Sequence, residues 1–410
     1  MTTLRSSGGV IILAIAAMLG AGCQTMTVTE NIEDTPVINA QAELEEQQLL
    51  DVGIRVFDPG EISDKDREKK GLTAEIRSAE ARFIPLVLRD TLQRTGHWGA
   101  VRVVPAQTHA VDVLVEGKIL ESDGEVLKLE VKVSDALGNR WFSTAYEKQV
   151  DAEAYVDAGD SEVFQDIYNR IANDLYRHKA NLSLERILEI QRVAQLRFGQ
   201  SLAPEVFHGF ITATDDGQYQ IQRLPAHDDP MLDRVLKVRE REHMLIDVVN
   251  GYYDKFNAEM AGTYFDWRKA RSDEAEALRE VKRKAANRYL LGAAMIVGAI
   301  AIEALGGDAG TESVRDVMVL GGAYNVKRGM DISAQKAIHE DAIRELGESF
   351  NAEVAPLVVN VEGQTVELTG SAEQQFHHWR RLLSEIYATE TGAPTPAIAD
   401  DDQPQSLPVK

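Results

Sequence analysis

Apolar and charged residues alternate strictly between positions 127 and 133, and this pattern constrains the fold more than any other feature of the chain. The apolar residues Leu127, Leu129, Val131 and Val133 are separated by Lys128, Glu130 and Lys132. Successive side chains of a strand point to opposite faces, so the pattern predicts a strand with one buried and one solvated face. One-sided burial of this kind is typical of an antiparallel sheet.

Turn signals on both sides place this strand at the centre of a predicted meander. Ser122-Asp123-Gly124 and Leu137-Gly138-Asn139 would join it to strands over 111–120 and 140–146. Glycine in such short connections supplies the positive φ that tight hairpins need. We therefore predict three consecutive antiparallel strands.

Upstream of the meander, the patterns predict strands over 52–56 and 98–104 with a helix over 74–95 between them. Because Pro85 lies within the helical pattern, a kink or a helix start near residue 85 is an alternative. A further helix is predicted over 161–176. The expected fold class is α+β, with a small mixed sheet-and-helix domain over residues 49–178.

The remainder of the chain is predicted to be helix-rich. We expect a helical region over 182–288 that contains a hairpin at 206–224, and a helix–hairpin–helix module over 330–390. Residues 391–410, rich in Pro and Asp, predict a disordered tail.

Glycines are predicted to end or bend the helices of the helical region. Ser183 is suited to cap a helix that ends at Phe198, with Gly199 as its stop. A long helix is predicted from Met231 to about Arg288, where Gly251 and Gly262 would mark bends. Its charged end, from Arg268 onward, predicts an exposed or partner-facing continuation.

An unbroken apolar run from Leu290 to Ile302 lies within a Gly/Ala-rich segment at 289–307. Three interpretations compete: a buried core helix or hairpin, a membrane-inserted segment behind a basic flank, and a self-association helix. Ala294 and Gly298 have the small-xxx-small spacing that lets helices approach closely. Gly292 and Ile302 belong to the same candidate membrane or self-association segment.

The first 23 residues have the parts of a secretory signal. Arg5 is followed by an apolar run over 10–19, then by small residues and Cys23, which is the only cysteine of the chain. This arrangement is similar to a bacterial lipoprotein signal, although Gly20 occupies the position that usually holds Leu, Val or Ile. The similarity implies cleavage between Gly22 and Cys23 and lipidation, including palmitate, of Cys23. An ordinary signal cleaved near Ala21 and an uncleaved anchor helix are the alternatives.

Gln24 follows the cysteine, and by the same similarity the absence of Asp there favours an outer-membrane, periplasm-facing location. Residues 23–48 are polar and acidic, and we expect them to form a lipidated tether that lifts the first domain clear of the headgroups. The partners expected are therefore the membrane, through the lipid, and other proteins or further copies of this chain.

The charge and motif content of the chain excludes several functions. A formal net charge of −22 argues against nucleic acid, whose phosphates require a basic face. Nucleophile elbows, phosphate-binding loops and dinucleotide-binding loops are missing from the sequence. His377 and His378 are adjacent, and neighbouring positions on a helix point about 100° apart, so they are poorly placed to share a metal. We predict no catalytic residues, no metal site and no cofactor.

The order of strand, helix, strand and meander behind such a signal resembles the small α+β domain of several envelope lipoproteins. The stretches that carry the resemblance are FIPLVLRDTL at 83–92, GHWGAV at 96–101 and VDVLVEG at 111–117. The related groups are the auxiliary lipoproteins of lipid-transport ABC systems, the TolB amino-terminal domain and the curli-secretion lipoproteins. The resemblance implies their fold over about residues 50–176. The sequence thus predicts a non-enzymatic scaffold or assembly lipoprotein, or alternatively an accessory subunit of an envelope transport or secretion system.

Overall fold

The computed structural model describes residues 29–62, 73–104, 108–159, 161–226, 228–303, 341, 345, 357–361, 364–368 and 371–391. These residues form an α+β structure, as predicted. A six-stranded mixed sheet carries helices on one face, and a long helix packs against both.

The predicted meander is the centre of the sheet, whose strand order is β1-β6-β5-β4-β2-β3. Strands β4, β5 and β6 are antiparallel, β2 is parallel to both β3 and β4, and β1 is parallel to β6. The strands are β1 (Thr29–Asn31), β2 (Val52–Arg55), β3 (Val101–Val104), β4 (Val113–Ser122), β5 (Val126–Asp135) and β6 (Arg140–Gln149).

The helices and two further hairpins complete the described elements. The helices are α1 (Ala74–Arg94), α2 (Ala152–Asp157), α3 (Gln165–Ala180), α4 (Leu184–Leu202), α5 (Pro204–Phe207), α6 (Pro230–Glu303) and α7 (Ala372–Thr391). The antiparallel hairpins are β7 (Ile211–Ala213) with β8 (Tyr219–Ile221) and β9 (Leu357–Val361) with β10 (Gln364–Leu368).

The structure confirms one predicted helix boundary and corrects another. Helix α1 begins at Ala74 as predicted, where Thr73 caps it by accepting from the Ile76 amide, so the alternative start near Pro85 does not occur. Helix α4 runs past Gly199 to Leu202. Gly199 is required there by packing instead, because a Cβ would lie 2.9 Å from the Phe207 ring.

The long helix α6 continues through both of its glycines. Gly251 and Gly262 are exposed and do not interrupt it. The predicted Gly/Ala-rich segment at 289–307 is, as far as residue 303, the end of this same helix. The predicted helix near 333–350 and the predicted tail fall mainly outside the described residues.

Two hydrophobic cores hold the structure together. The first lies between the apolar face of the sheet and helices α1, α3 and α4, and it includes Phe256 to Trp267 of α6. The second joins β3 and the end of α4 to the first half of α6 and to α7. The opposite sheet face is solvated as predicted, with cross-strand ion pairs such as Arg55–Glu116 at 2.6 Å and Lys128–Glu147 at 2.7 Å.

The β3 edge of the sheet is closed by one side chain of α6. The Asn250 amide donates to the Val103 carbonyl at 2.8 Å and accepts from the Val103 amide at 2.9 Å. It therefore replaces the neighbouring strand that this edge lacks. Exposed strand edges readily pair with other chains, so this contact also protects the sheet from aggregation.

We predict that Asn250→Ala lowers the free energy of unfolding by about 2 kcal/mol, because it leaves both buried backbone groups of Val103 without a partner. Chemical denaturation followed by circular dichroism measures the change. Glu240→Ala, at an exposed position of the same helix, is the control and should change stability by less than about 0.5 kcal/mol. Equal effects of the two substitutions would contradict the edge-closing role.

Candidate functional site

The residues predicted to anchor the protein precede the described part of the chain. Gly22, Cys23 and the rest of the signal lie outside the described residues. The first described residue, Thr29, already belongs to the sheet. Thr29 follows Cys23 by six positions, a span of at most about 20 Å when fully extended.

The predicted tether is wrong from residue 29 onward. Residues 29–50, which we call the N-terminal strap, do not form a spacer. They lie against the sheet and helices of residues 51–226, which we call the body. Strand β1 pairs with β6, and the Ile32 amide continues the pairing by donating to the Glu147 carbonyl at 2.7 Å. The strap ends at Leu50, which is fully buried in the first core.

A polar ladder on helix α3 binds the backbone of the strap. Asp166, Asn169 and Asn173 are spaced by three and four residues, which places them on one face of a helix. Asp166 accepts from the Thr35 amide and Asn169 donates to the Thr35 carbonyl, both at 2.9 Å. Asn173 accepts from the Ile38 amide at 2.8 Å and donates to the Pro36 carbonyl at 2.9 Å.

The second half of the strap is held by the region around His97. The Nε2 of His97 donates to the Ile38 carbonyl at 3.1 Å, and the ring stacks on Tyr176 with centroids 3.9 Å apart. Burial lowers the pKa of His97, so the ring is neutral at pH 7. The Ala40 amide donates to the Thr95 carbonyl at 2.8 Å, and Gln191 donates to the Leu49 carbonyl at 2.7 Å.

A buried network of hydrogen bonds positions helix α6 against the body. Glu80 of α1 accepts from the Ser122 hydroxyl at 2.5 Å and from the Tyr264 hydroxyl at 2.6 Å, and Arg77 lies 3.3 Å away. Desolvation is the largest influence on Glu80 and raises the pKa of this carboxyl. The network therefore fixes the orientation of α6 at the cost of burying an acid.

The predicted exposed continuation of α6 is in fact buried at its start. Arg268, 3% exposed, forms a bidentate pair with Glu162 at 2.7 and 2.8 Å. One turn later, Ser272 is fully buried.

The bidentate Arg279–Glu125 pair, at 2.7 and 2.6 Å, is a further contact between α6 and the body. Residues 280–303 extend α6 by 24 further residues, or about 36 Å. We call residues 280–303 the arm. Gly292, Ala294, Gly298 and Ile302, the residues predicted to mediate membrane contact or self-association, all lie on the arm.

A second polar cluster lies where β2 and β4 begin. The Asp112 carboxylate accepts from the Asp51 amide at 2.9 Å and from Arg239 at 3.4 Å, and desolvation raises the pKa of Asp112 to about 6. His243 donates to the Ala110 carbonyl at 2.8 Å. These groups bind backbone atoms and fix the strand starts, and the described residues contain no group of three potential metal ligands.

The strap and its ladder were missed by sequence reasoning. The spacing of Asp166, Asn169 and Asn173 could have indicated the ladder. Short polar side chains such as these rarely stabilise the interior of a helix. Such a face indicates that the helix binds backbone groups. Nothing in residues 29–50 indicates which segment it binds.

Comparison with known proteins finds no relatives: no family model, no curated protein and no solved structure matches the chain. The resemblance to envelope lipoproteins therefore stays a prediction. Within the described residues, no helix has an apolar stretch long enough to cross a membrane.

We predict that Asn173→Ala loosens the strap, because the Ile38 amide and the Pro36 carbonyl lose their partner. Hydrogen exchange of the Ile38 amide should accelerate roughly tenfold or more, while amides of the sheet centre keep their protection. Asn181→Ala, at the exposed end of the same helix, is the matched control. A strap amide that exchanges at the wild-type rate in Asn173→Ala would show that the ladder does not hold it.

Proposed function

We propose that this protein is a lipid-anchored scaffold lipoprotein of the outer membrane, facing the periplasm and acting without catalysis. In this proposal the strap holds the folded body close to the bilayer, and the arm mediates assembly with further copies of the chain. The observation that supports the proposal is that α6, which the Arg279–Glu125 pair joins to the body, continues as one helix through the apolar run to Glu303.

The anchoring half of the proposal combines the signal with the strap. The sequence predicts a lipid on Cys23, and the body begins six residues later at Thr29. Such a link would keep the body within about 20 Å of the membrane surface. Two or more acyl chains are needed for stable anchoring, which the expected lipoprotein modification supplies.

The assembly half rests on the composition of the arm. Its apolar run, Leu290 to Ile302, contains two Gly and four Ala among its thirteen residues, and these small residues lower the apolar area that the run could bury in a monomer core. Small residues at Ala294 and Gly298 favour close packing of two helices. The run continues the same helix α6 that packs on the body, and we propose that it acts in self-association rather than as a buried core helix.

A second candidate function is an accessory subunit of an envelope transport or secretion system. The observation that favours it is the element order β2-α1-β3-β4-β5-β6-α2-α3, which contains the strand, helix, strand, meander and helix of the lipoprotein resemblance in the expected order. Fold analogy alone does not establish a partner. Stable co-purification with an inner-membrane complex would favour this second function.

We predict that Cys23→Ala abolishes incorporation of labelled palmitate in cells and releases the protein into the periplasmic fraction, because the thiol is the site of attachment. Thr25→Ala, two residues downstream, should leave labelling and membrane fractionation unchanged. Persistent labelling of Cys23→Ala would contradict lipidation. Loss of label with retention in the membrane fraction would show that the arm is a second anchor.

We predict that Ala294→Leu converts the detergent-purified full chain from oligomer to monomer, because the larger side chain separates the packed helices. Light scattering coupled to size exclusion measures the mass. Ala299→Leu makes the same change about 140° around the helix and should keep the oligomer. A wild-type protein that is monomeric at micromolar concentration, or two variants with unchanged mass, would overturn self-association through the arm.

A further inference from the structure

His97 lies in the turn after helix α1, directly beneath the strap. A Cβ on the preceding residue, Gly96, would lie 3.4 Å from the Cβ of Ala40, so the strap packs closely on this turn. His97 is 5% exposed, and its Nε2 donates to the Ile38 carbonyl of the strap at 3.1 Å. The strap therefore takes part in keeping this ring from solvent.

Ile38 is held from two sides, and this joins His97 to the polar ladder. The Ile38 amide donates to Asn173 at 2.8 Å, while the carbonyl of the same residue accepts from His97. Two residues farther on, the Ala40 amide donates to the Thr95 carbonyl at 2.8 Å. A loss of the His97 contact therefore weakens the hold on a residue that the ladder also binds.

A buried cation lies next to His97. Lys179 of α3 is 7% exposed, and its Nζ donates to the His97 carbonyl at 2.5 Å and lies 5.3 Å from the centroid of the Trp98 ring. Burial lowers the pKa of Lys179 to about 8, so the amine is mostly protonated at pH 7 and below.

A protonated His97 ring would place a second cation beside Lys179. Burial lowers the pKa of the ring, the hydrogen bond to the Ile38 carbonyl opposes this shift, and the Lys179 charge adds to it. The ring also stacks on Tyr176, with centroids 3.9 Å apart, and a phenol gains no charge on acidification. The surroundings of His97 thus favour the neutral ring as long as the strap is closed.

Two other titratable groups of this region act differently. Burial also lowers the pKa of His178, with Asp135 opposing the shift, but this ring stacks on Trp141 of β6 at 4.5 Å. Asp112 binds the Asp51 amide just after the strap, and desolvation raises its pKa to about 6. Because a raised pKa means that the folded state takes up the proton more readily, acid stabilises the fold at Asp112. These groups leave His97 as the histidine that links acid to the strap.

We propose that His97 makes the strap a pH-sensitive latch, so that acidification shifts the strap from its closed state toward an open one. A ring that water can reach in the open state takes up a proton more readily than the buried ring. The pKa of the buried ring is below its ordinary value of about 6.5. The strap therefore loosens as the pH falls below about 6.5, and the effect is complete below the pKa of the buried ring. Uptake of one proton limits the change to about tenfold per pH unit.

The latch would change how far the body can lie from the membrane. This consequence rests on the proposed lipid at Cys23, whereas the latch itself does not. With the strap closed, the span from Cys23 to Thr29 is at most about 20 Å. With residues 29–40 released, the span to Gln41, eighteen positions from Cys23, is at most about 60 Å. Acid would thus let the body move away from the bilayer.

Hydrogen exchange of the detergent-purified full chain at pH 7 and pH 5 tests the latch, with each rate expressed as a protection factor relative to the intrinsic rate at that pH. We expect the Thr35 and Ala40 amides to lose protection together, by about tenfold, while Leu129 and Val131 in the sheet centre keep theirs. Unchanged protection of the strap, equal loss in the sheet, or loss at Ala40 without Thr35 would overturn the proposal. The exchange rates report on the strap whether or not Cys23 carries a lipid, so failure of the latch and failure of the anchor are distinguishable.

Substitutions then assign the pH dependence to His97. In His97→Gln the amide can still donate to the Ile38 carbonyl but takes up no proton, so protection of the strap should change less than twofold between pH 7 and pH 5. His178→Gln, at the half-buried histidine of α3, is the matched control and should keep the tenfold loss. A folded His97→Gln with the wild-type pH dependence would also overturn the proposal, with folding checked by circular dichroism.

Discussion

The apolar stripe of helix α6 is the contact on which the rest of the structure depends. Its first half, including fully buried Tyr253, completes the second core, and the stretch from Phe256 to Trp267 completes the first. Each large side chain buried in this way contributes about 1.5–3 kcal/mol. The buried Arg268–Glu162 pair adds little net stability by comparison, because desolvation offsets its attraction. Burial therefore holds the helix, and the polar groups fix its orientation.

Whether a helix end could be predicted depended on two contributions: the local helix propensity of the residue and the stabilisation that the helix gains from packing. A glycine inside a helix costs about 1 kcal/mol relative to alanine, which made Gly199 a reasonable helix end and Gly251 and Gly262 reasonable bends. The packed neighbours of α4 and α6 outweigh that cost at every one of these positions. Where local and tertiary preferences agree, as in the strictly alternating strand β5, the prediction was confirmed to within a residue or two.

The strap and the contacts of Arg197 could not be predicted for a different physical reason. The strap contributes backbone amides and carbonyls at Thr35, Pro36 and Ile38, and backbone groups are the same in every sequence. Arg197 of α4 contacts His109, Ala136 and Tyr219, which come from three separate segments of the chain. Local periodicity carries information about neither contact, because both depend on segments far apart in the chain.

The two edges of the sheet also bear on how the protein can assemble. On one side β1 of the strap covers β6, and on the other Asn250 occupies the backbone groups of Val103 in β3. Only the three-residue strand β1 is left as an outer edge on the strap side, and short edge strands are poor templates for pairing. Assembly through strand addition is thereby disfavoured at both ends of the sheet. This agrees with the proposal that association occurs through helix contacts along the arm rather than by strand addition.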